Sequence, residues 1–490
     1  MSKSTNRRWA ATLAVAVLTA AAPAVAQNYG TLADFDNANG ANPLAGFVQA
    51  LDGNLYGTTE NGGLYDRGTV FKITPAGVLT TIYSFCSQPG CTDGAYPSAG
   101  LTLAFDGTFY GTTHNGGDND WGTVFKITPG GTLTTLHSFN NTDGVDPGAG
   151  LVLGSDGNFY GTTTGGTALN GGTVFKITPG GTLTTLNSSF LNAAEPWGLV
   201  QGADGNFYGT TWSRGANMNP NVCIYETGCG SVFRVTPKGT LTTIYSFCAQ
   251  ANCADGAYPY AGLIAGTDGN LYGTTGYGGL VTRGSRYGLG TVFRITPAGV
   301  LTTLYTFTGG TDGGIPLAGL IEATDGSFYG TTFYDGADNL CRGDGCGTVF
   351  KLTPPRGFAT LHDFNPGTGI GSVASLFQGT DGLLYGTTRL GGTSNLCFQG
   401  CGTVFSLNTG LAPFVETLPG AGKQGSTVRI LGSNFTGASS VTFNGVPAKF
   451  RVTSPTEIST EVPSSATTGI VQVTTPSGTL SSNMLFSVSQ

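Results

Sequence analysis

Short runs of alternating apolar and polar residues, separated by glycine-rich turns, fill most of this chain. In residues 122–128 (GTVFKIT), Phe125 and Ile127 face one way while Val124 and Lys126 face the other, the two-residue period of a β-strand. Residues 99–104 (AGLTLA), 109–113 (FYGTT) and 132–139 (TLTTLHSF) read as three more strands. Asp106-Gly107 makes a hairpin turn, because Gly tolerates positive φ and Asp tolerates it better than most residues. Pro129-Gly130-Gly131 sets a second bend and ends the ladder. The predicted unit has four antiparallel strands, called a, b, c and d in chain order.

The unit repeats. Asp-Gly-x-(Leu/Phe)-Tyr-Gly-Thr-Thr starts at Asp52, Asp106, Asp156, Asp204, Asp268, Asp325 and Asp381, about 55 residues apart, the length of a four-stranded propeller blade. Gly-(Thr/Ser)-Val-Phe follows each time, at Gly68, Gly122, Gly172, Gly230, Gly290, Gly347 and Gly402. The ends complement each other. Residues 30–35 (GTLADF) resemble a lone strand d, and the seventh repeat has strands a, b and c but leads away at 407–413 without a strand d. The N-terminal strand is therefore expected beside Gly402–Leu407, closing a seven-bladed β-propeller and removing its open edges.

The run DGNLYGTT (52–59) with GTVFKITPAGVLTTIYSF (68–85), echoed six times, resembles the bacterial GloVer-repeat, or choice-of-anchor tandem repeat, proteins over about 30–407. The resemblance implies an exported propeller and brings no settled activity. NHL-type propellers share a weaker likeness in the Asp-Gly-Asn-hydrophobic-Tyr run. The Gly-His and Trp-Asp signatures of WD40 repeats are absent, as is the sialidase box. From about Pro413 the pattern changes to strands at 426–431, 440–445, 448–453, 456–462 and 469–474. Gly432-Ser433-Asn434-Phe435, Val441-Thr442-Phe443-Asn444-Gly445 and Val462-Pro463 resemble the IPT/TIG family, implying an immunoglobulin-like β-sandwich over 413–488. The expected all-β order is a leader at 1–26, a propeller at 27–410 and the sandwich at 411–490, with a linker short enough for the two domains to touch.

The leader reads from Lys3, Arg7 and Arg8, an apolar run from Trp9 to Ala22, and Ala24-Val25-Ala26 as a cleavage site. Arg7-Arg8 hints at twin-arginine export, though the rest of that motif is poor. No later stretch reaches membrane-spanning length. Loss of the leader carries the formal charge from −7 to −10. An acidic exported chain is a poor nucleic-acid binder, so no nucleic-acid partner is expected. Ten cysteines form five close pairs: Cys86/Cys91, Cys223/Cys229, Cys248/Cys253, Cys341/Cys346 and Cys397/Cys401. In an exported protein these read as local disulfides. None has C-x-x-C spacing or a nearby His, so neither a metal nor a cofactor is expected.

The turns between strands a and b and between c and d are short and uniform. The b–c loops grow from eight residues in the first three repeats (60–67, 114–121, 164–171) to eighteen in the fourth (212–229) and thirteen or fourteen thereafter (276–289, 333–346, 389–401). Every cysteine pair lies in a b–c or d–a loop. One face is thus a scaffold and the other is elaborated, which is where binding usually resides. Its ligand-binding candidates are Trp121, Trp212, Tyr225, Tyr258, Tyr260, Tyr277, Arg283, Arg286, Tyr287, Tyr334, Arg342 and Arg389, with Trp197 as a further ring. Rings of this kind stack on sugars, and Arg bonds sugar hydroxyls; the same rings also serve as small cores under long loops. Asp118, Asp120, Glu226, Asp335, Asp338 and Asp344 are loop acids, with solvated turns as the default and calcium as the alternative. Lys72, Lys126, Lys176, Arg234, Arg294 and Lys351 recur on strand c and are expected to snorkel from the sheets. His137 and His362 are expected on the outer surface, and His114 starts a b–c loop without a Gly-x-Ser-x-Gly elbow nearby. The expected function is a non-enzymatic exported protein that binds a glycan, envelope component or partner protein on the elaborated face. The alternatives are a polysaccharide lyase or hydrolase at the same place, or a structural or adhesive surface protein.

Overall fold

The computed structural model describes residues 28–489 except 167–170, 189–195, 224–227, 281–286, 338–340, 342–344 and 356. The expected leader lies outside the described residues. Seven four-stranded antiparallel sheets occupy 28–408, spanning 48–84, 102–138, 152–187, 196–246, 264–306, 321–363 and 377–408, here sheets 1 to 7. In sheet 2 the strands are Thr102–Leu103, Phe109–Thr113, Thr123–Ile127 and Leu133–Ser138. Strand a is two residues long, against the six expected at 99–104. Ala99, outside the ladder, accepts from Thr58 Oγ1 of the neighbouring sheet at 2.9 Å, while sheet 4 has a full six-residue strand a at Pro196–Gln201.

The seventh sheet takes its outer strand from the other end of the chain. Asn28–Asp34 pairs antiparallel with Thr403–Asn408, with Asn28 opposite Asn408 and Asp34 opposite Thr403. Strands c and d of the other six sheets share a bulge at the Val-Phe step, for example Val124/Phe125. The closing strand bulges between Thr31 and Ala33, opposite Phe405 and Val404, so it copies strand d down to this defect. Tyr29 anchors it: the ring stacks 3.7 Å from His362, and the hydroxyl donates to the Thr368 carbonyl at 2.7 Å.

Successive sheets are linked by one recurring bond. The first Thr of Tyr-Gly-Thr-Thr donates to a carbonyl of the next sheet: Thr112 to Ala149, Thr162 to Pro196, Thr210 to Ala261 and Thr274 to Ala318. Thr324 N donates to Gln378 Oε1 between sheets 6 and 7, and Thr380 N to Gln49 Oε1 between sheets 7 and 1, both at 3.0 Å. Stacked pairs such as Tyr110–Phe159 and Tyr160–Phe207 fill the space between sheets. The glycine of Tyr-Gly-Thr-Thr is required by packing, because a Cβ at Gly111 would lie 2.6 Å from Phe125 Cζ.

The second domain is a two-sheet sandwich. Glu416–Leu418, Thr427–Leu431, Glu457–Glu461 and Phe450–Ser454 form one sheet; Val446–Pro447, Ser440–Phe443, Val471–Thr475 and Gly478–Ser481 form the other. Val428, Ile430, Phe443, Ile458, Val471 and Val473 are buried between them. The strand expected at 440–445 stops at Phe443, because Asn444 and Gly445 take positive φ and turn the chain. The domains touch. Thr456 Oγ1 donates to the Leu51 carbonyl of sheet 1 at 2.8 Å, and Phe414 N donates to the Thr380 carbonyl of sheet 7 at 3.0 Å. The sandwich therefore sits on the short-turn face and spans the junction between sheets 1 and 7.

Candidate functional site at the propeller mouth

Seven near-identical repeats act as an internal alignment, and two positions in it vary. One follows Tyr-Gly-Thr-Thr and holds Glu60, His114, Thr164, Trp212, Gly276, Phe333 and Arg389. The other precedes strand a, or in sheet 4 lies within it, and holds Leu44, Ser98, Gly148, Trp197, Tyr260, Leu317 and Val373. Eleven of these fourteen residues line one cavity of about 490 Å³, with at least one from every sheet. All seven sheets thus converge on this cavity. It opens among the b–c and d–a loops, opposite the sandwich.

The main chain holds the first set rigidly. Glu60 N donates to the Asn42 carbonyl, His114 N to Tyr96, Thr164 N to Asp146, Gly276 N to Tyr258, Phe333 N to Ile315 and Arg389 N to Gly371. All six acceptor residues have φ between 54° and 60°. Left-handed backbone is unfavourable for Tyr258 and more so for β-branched Ile315, and such conformations persist where surroundings over-determine them. Each is clamped by its own N–H, as where Tyr258 N donates to the Cys229 carbonyl at 2.8 Å and Ile315 N to Leu289 at 2.8 Å. Glycines let neighbouring sheets approach closely. A Cβ at Gly100 would lie 3.3 Å from the Gly46 carbonyl oxygen, and one at Gly262 would lie 3.1 Å from that of Gly198. The inner strands thus meet backbone to backbone.

The lining divides into two arcs. Sheets 4, 5 and 6 contribute Trp197, Tyr260 and Leu317, while the polar groups Glu60, Ser98, His114, Thr164 and Arg389 come from sheets 7, 1, 2 and 3, together with Leu44, Gly148 and Val373. Gly276 leaves room for the Tyr260 ring, since a Cβ there would lie 2.8 Å from Tyr260 Cδ2. On the polar side, Asn42 Nδ2 donates to the Arg389 carbonyl at 3.1 Å, and Asn61 Nδ2 donates to Asn42 Oδ1 at 3.2 Å and to Glu60 Oε2 at 3.3 Å. Asp146, outside the lining, holds Thr164 through its carbonyl, and burial pushes its carboxyl above the usual carboxylate range, against the pull of His114. The cup joins apolar faces to charged and hydroxyl groups across one small volume, a lining suited to a small amphipathic ligand.

Of the residues predicted from sequence, Tyr260 and Arg389 line the cup, as does Trp197. Trp212, Tyr258, Tyr277 and Tyr287 form a connected ring cluster behind Tyr260, with Trp212 5.2 Å from Tyr258 and 5.8 Å from Tyr260. Tyr258 is 1% exposed, so it packs as core and offers no face to a ligand. Trp121 and Tyr334 are exposed but lie outside the cup; Trp121 serves through its carbonyl, which accepts the Asp146 N–H at 3.1 Å. Tyr225, Arg283, Arg286 and Arg342 lie outside the described residues, as do Glu226, Asp338 and Asp344. Asp120 Oδ1 accepts the Gly116 N–H at 2.9 Å, and Asp118 N donates to Ser138 Oγ at 3.3 Å. Glu60, Ser98 and Thr164 belong to no motif and escape the sequence reading, which marks His114 only as the start of a loop. Variation between repeats at otherwise constant spacing is the signal that finds all four.

The other recurring groups are structural. In six repeats the strand b tyrosine donates to the Asp of the Asp-Gly turn, at 2.7 Å for Tyr208–Asp204 and Tyr385–Asp381. Burial first, then the carboxylate, pushes the phenols of Tyr160, Tyr208 and Tyr272 up to about 12. Among the strand c cations, Lys351 pairs with Asp325 at 2.8 Å. His137 and His362 lie on the outer strand d as expected, half-buried and with specific partners. His137 Nε2 lies 3.0 Å from Asp143, in the slot where Tyr245 donates to buried Asp255, and His362 is packed under Tyr29.

All five cysteine pairs are local disulfides: Cys86–Cys91, Cys223–Cys229, Cys248–Cys253, Cys341–Cys346 and Cys397–Cys401. They lie in the b–c and d–a loops, as expected, and four of their cysteines reach into the core. Cys346 and Cys401, like Cys229 and Cys253, are fully buried and belong to the core. Cys346 packs with Val349 and Phe364, and Cys401 with Phe35 and Val404. The reason is position: Cys229, Cys346 and Cys401 each stand immediately before the glycine that opens strand c. There the main chain is already part of the frame. The Cys346 carbonyl accepts the Gly371 N–H at 3.0 Å, and the Cys401 carbonyl accepts the Asn42 N–H at 2.9 Å, as Cys229 does from Tyr258. These bridges tie long loops to the frame under the mouth and present no sulfur to a ligand in the cup.

Residues 88–280 and 225–440 match the Gloeobacter/Verrucomicrobia repeat. The chain belongs to this family. Residues 415–488 match the IPT/TIG domain. No curated protein matches the chain. Among solved structures, a fungal alcohol oxidase of the AA5 family in complex with copper is similar at 12% identity and a TM-score of 0.48, over 94% of this chain and 99% of its own. A putative 6-phosphogluconolactonase from Bacteroides uniformis is similar at 17% and 0.42, over 66% and 84%. A gluconolactonase from Xanthomonas campestris is similar at 14% and 0.35, over 62% and 82%. At these scores no activity carries over. The disulfides are consistent with an extracellular protein, and no helix among the described residues is long and apolar enough to cross a membrane.

Proposed function

We propose that the seven sheets are the blades of one closed propeller in an exported, non-enzymatic binding protein whose ligand sits in the mouth cup. The observation that carries this reading is the convergence of both variable positions on a single cavity. Positions that only stabilise a blade repeat from sheet to sheet; positions that read a ligand need not. A glycan is favoured over an envelope lipid or a protein partner. The cup is the size of a small-molecule site rather than a protein interface, and its aromatic arc faces hydroxyl-bonding groups.

A glycan array followed by calorimetry on the full chain tests this. Tyr260→Ala and Trp197→Ala are expected to weaken binding about tenfold or more, with melting temperature little changed. A glycan bound equally well by both variants and by Arg389→Ala would sink the proposal. A second reading, a hydrolase or lyase in the same cup, is favoured by Asp146, which bonds the lining residue Thr164 through its main chain and whose carboxyl is raised by burial and pulled down by the lining residue His114. Turnover of the bound glycan, lost in Asp146→Asn, would replace the first reading with the second.

A further inference from the structure

Taken pair by pair, the cysteines exclude a metal, but the fold brings two pairs together. Cys223 and Cys229 belong to the b–c loop of sheet 4, and Cys248 and Cys253 to the loop after the same sheet's strand d. Cys223 Sγ and Cys248 Sγ are 3.6 Å apart, and all four sulfurs lie within 4.8 Å of one another. Among the described residues no other group of three or more potential ligands is this compact. In a tetrahedral zinc tetrathiolate the Zn–S bonds are about 2.3 Å, so the sulfurs sit roughly 3.8 Å apart. The four sulfurs occupy that volume already.

We propose that Cys223, Cys229, Cys248 and Cys253 form a closed four-sulfur zinc site in the reduced chain, which two disulfides replace on oxidation. Each disulfide takes two electrons and two protons from a dithiol reductant, giving two thiols and leaving the reductant as its own disulfide. Zinc then displaces four protons and forms four Zn–S bonds. Oxidation by a disulfide reverses the step and releases the ion.

The surroundings fit a structural site. Cys223, Cys229 and Cys253 are buried and Cys248 is partly buried, within the cluster that also holds Val222, Phe247 and Tyr258. Water is largely excluded, and with four protein ligands no coordination position stays open. A tetrathiolate around Zn²⁺ carries two negative charges. Arg214 pairs through its backbone with Cys229, and its Nε is buried without a hydrogen-bond partner among the described residues. Trp212 and Tyr260 pack against the same cluster, so both closed forms of the site brace the aromatic side of the mouth.

The full chain, reduced with a dithiol and desalted without oxygen, is titrated with zinc alone and, separately, with cobalt(II). One zinc per chain is expected, with a cobalt tetrathiolate absorption band; the oxidised chain is expected to bind neither. Cys223→Ser with Cys248→Ser should reduce the zinc content at least about tenfold, while Cys86→Ser with Cys91→Ser should keep it. If the first double variant fails to fold, the cobalt band of the native chain decides the ligand set. A reduced chain without stoichiometric zinc, a cobalt spectrum lacking the tetrathiolate band, or equal zinc in both double variants overturns the proposal.

Discussion

The two faces of this propeller are made from the same seven repeats and differ in what varies. On the turn face, the Asp-Gly and Pro-(Ala/Gly)-Gly bends recur almost unchanged, tyrosines lock the acids, and the sandwich rests on sheets 1 and 7. On the mouth face, the backbone is equally regular, with matching bonds at six of the seven loop starts, yet the side chains range from Glu60 to Trp197. A constant frame with variable side chains separates folding from recognition: substitutions in the frame should cost stability, and substitutions in the cup should cost binding.

The frame breaks most severely at its seam. Deleting 28–34 removes the closing strand and opens a sheet edge beside Thr403–Asn408. The cooperative thermal transition seen by circular dichroism is expected to disappear; a variant that melts like the native chain would show that closure is dispensable. Next in size is Gly111→Ala, which places a methyl group against Phe125 and should cost about 1–3 kcal/mol in a denaturant titration. An equal loss from Ser98→Ala, a change confined to the cup, would erase the contrast between frame and cup. Thr456→Val removes the bond to the Leu51 carbonyl and should cost about 1 kcal/mol. No loss at all would mean that the sandwich does not steady the junction of sheets 1 and 7.

The smallest expected effect is on acidification. Burial holds the His362 imidazole below its ordinary value of 6.5. The neutral ring is therefore the native form, while an unfolded chain binds the proton more readily. Its contribution is fully present above about pH 6.5 and declines as pH falls below it. Melting temperature should drop between pH 7 and pH 5 by more in the native chain than in His362→Phe, which keeps a ring under Tyr29. Parallel pH profiles would remove His362 from the seam.

Much of this architecture is readable in one dimension because each repeat carries its own instructions. Asp-Gly, Pro-(Ala/Gly)-Gly and the alternation around Val124–Ile127 act locally, and the unmatched strands at the two ends leave one economical way to pair. Strand a is shorter than its sequence suggests in sheet 2, at Thr102–Leu103, and full length in sheet 4, at Pro196–Gln201, so its length is settled outside its own residues. Tyr258 reads as a ligand contact in sequence because exposure is settled by what packs over a loop, here Trp212 and Tyr277. Cys346 and Cys401 are loop residues, as their sequence says, but their burial is settled by distant residues, Phe364 and Phe35, which follow other strands. His362 lies on an outer strand, as its sequence says, but the partner that covers it, Tyr29, stands 333 residues earlier in the chain.

Local chemistry along the chain therefore determined strands, turns, repeat number and the pairing of neighbouring cysteines. Only the tertiary structure decided which side chains meet. Glu60 and Arg389 share a cup because the ring closes, and Cys223 reaches Cys248 because two loops of one sheet fold over the same edge. Turn preferences depend on a few adjacent φ and ψ angles, whereas convergence on one cavity depends on every sheet being in place.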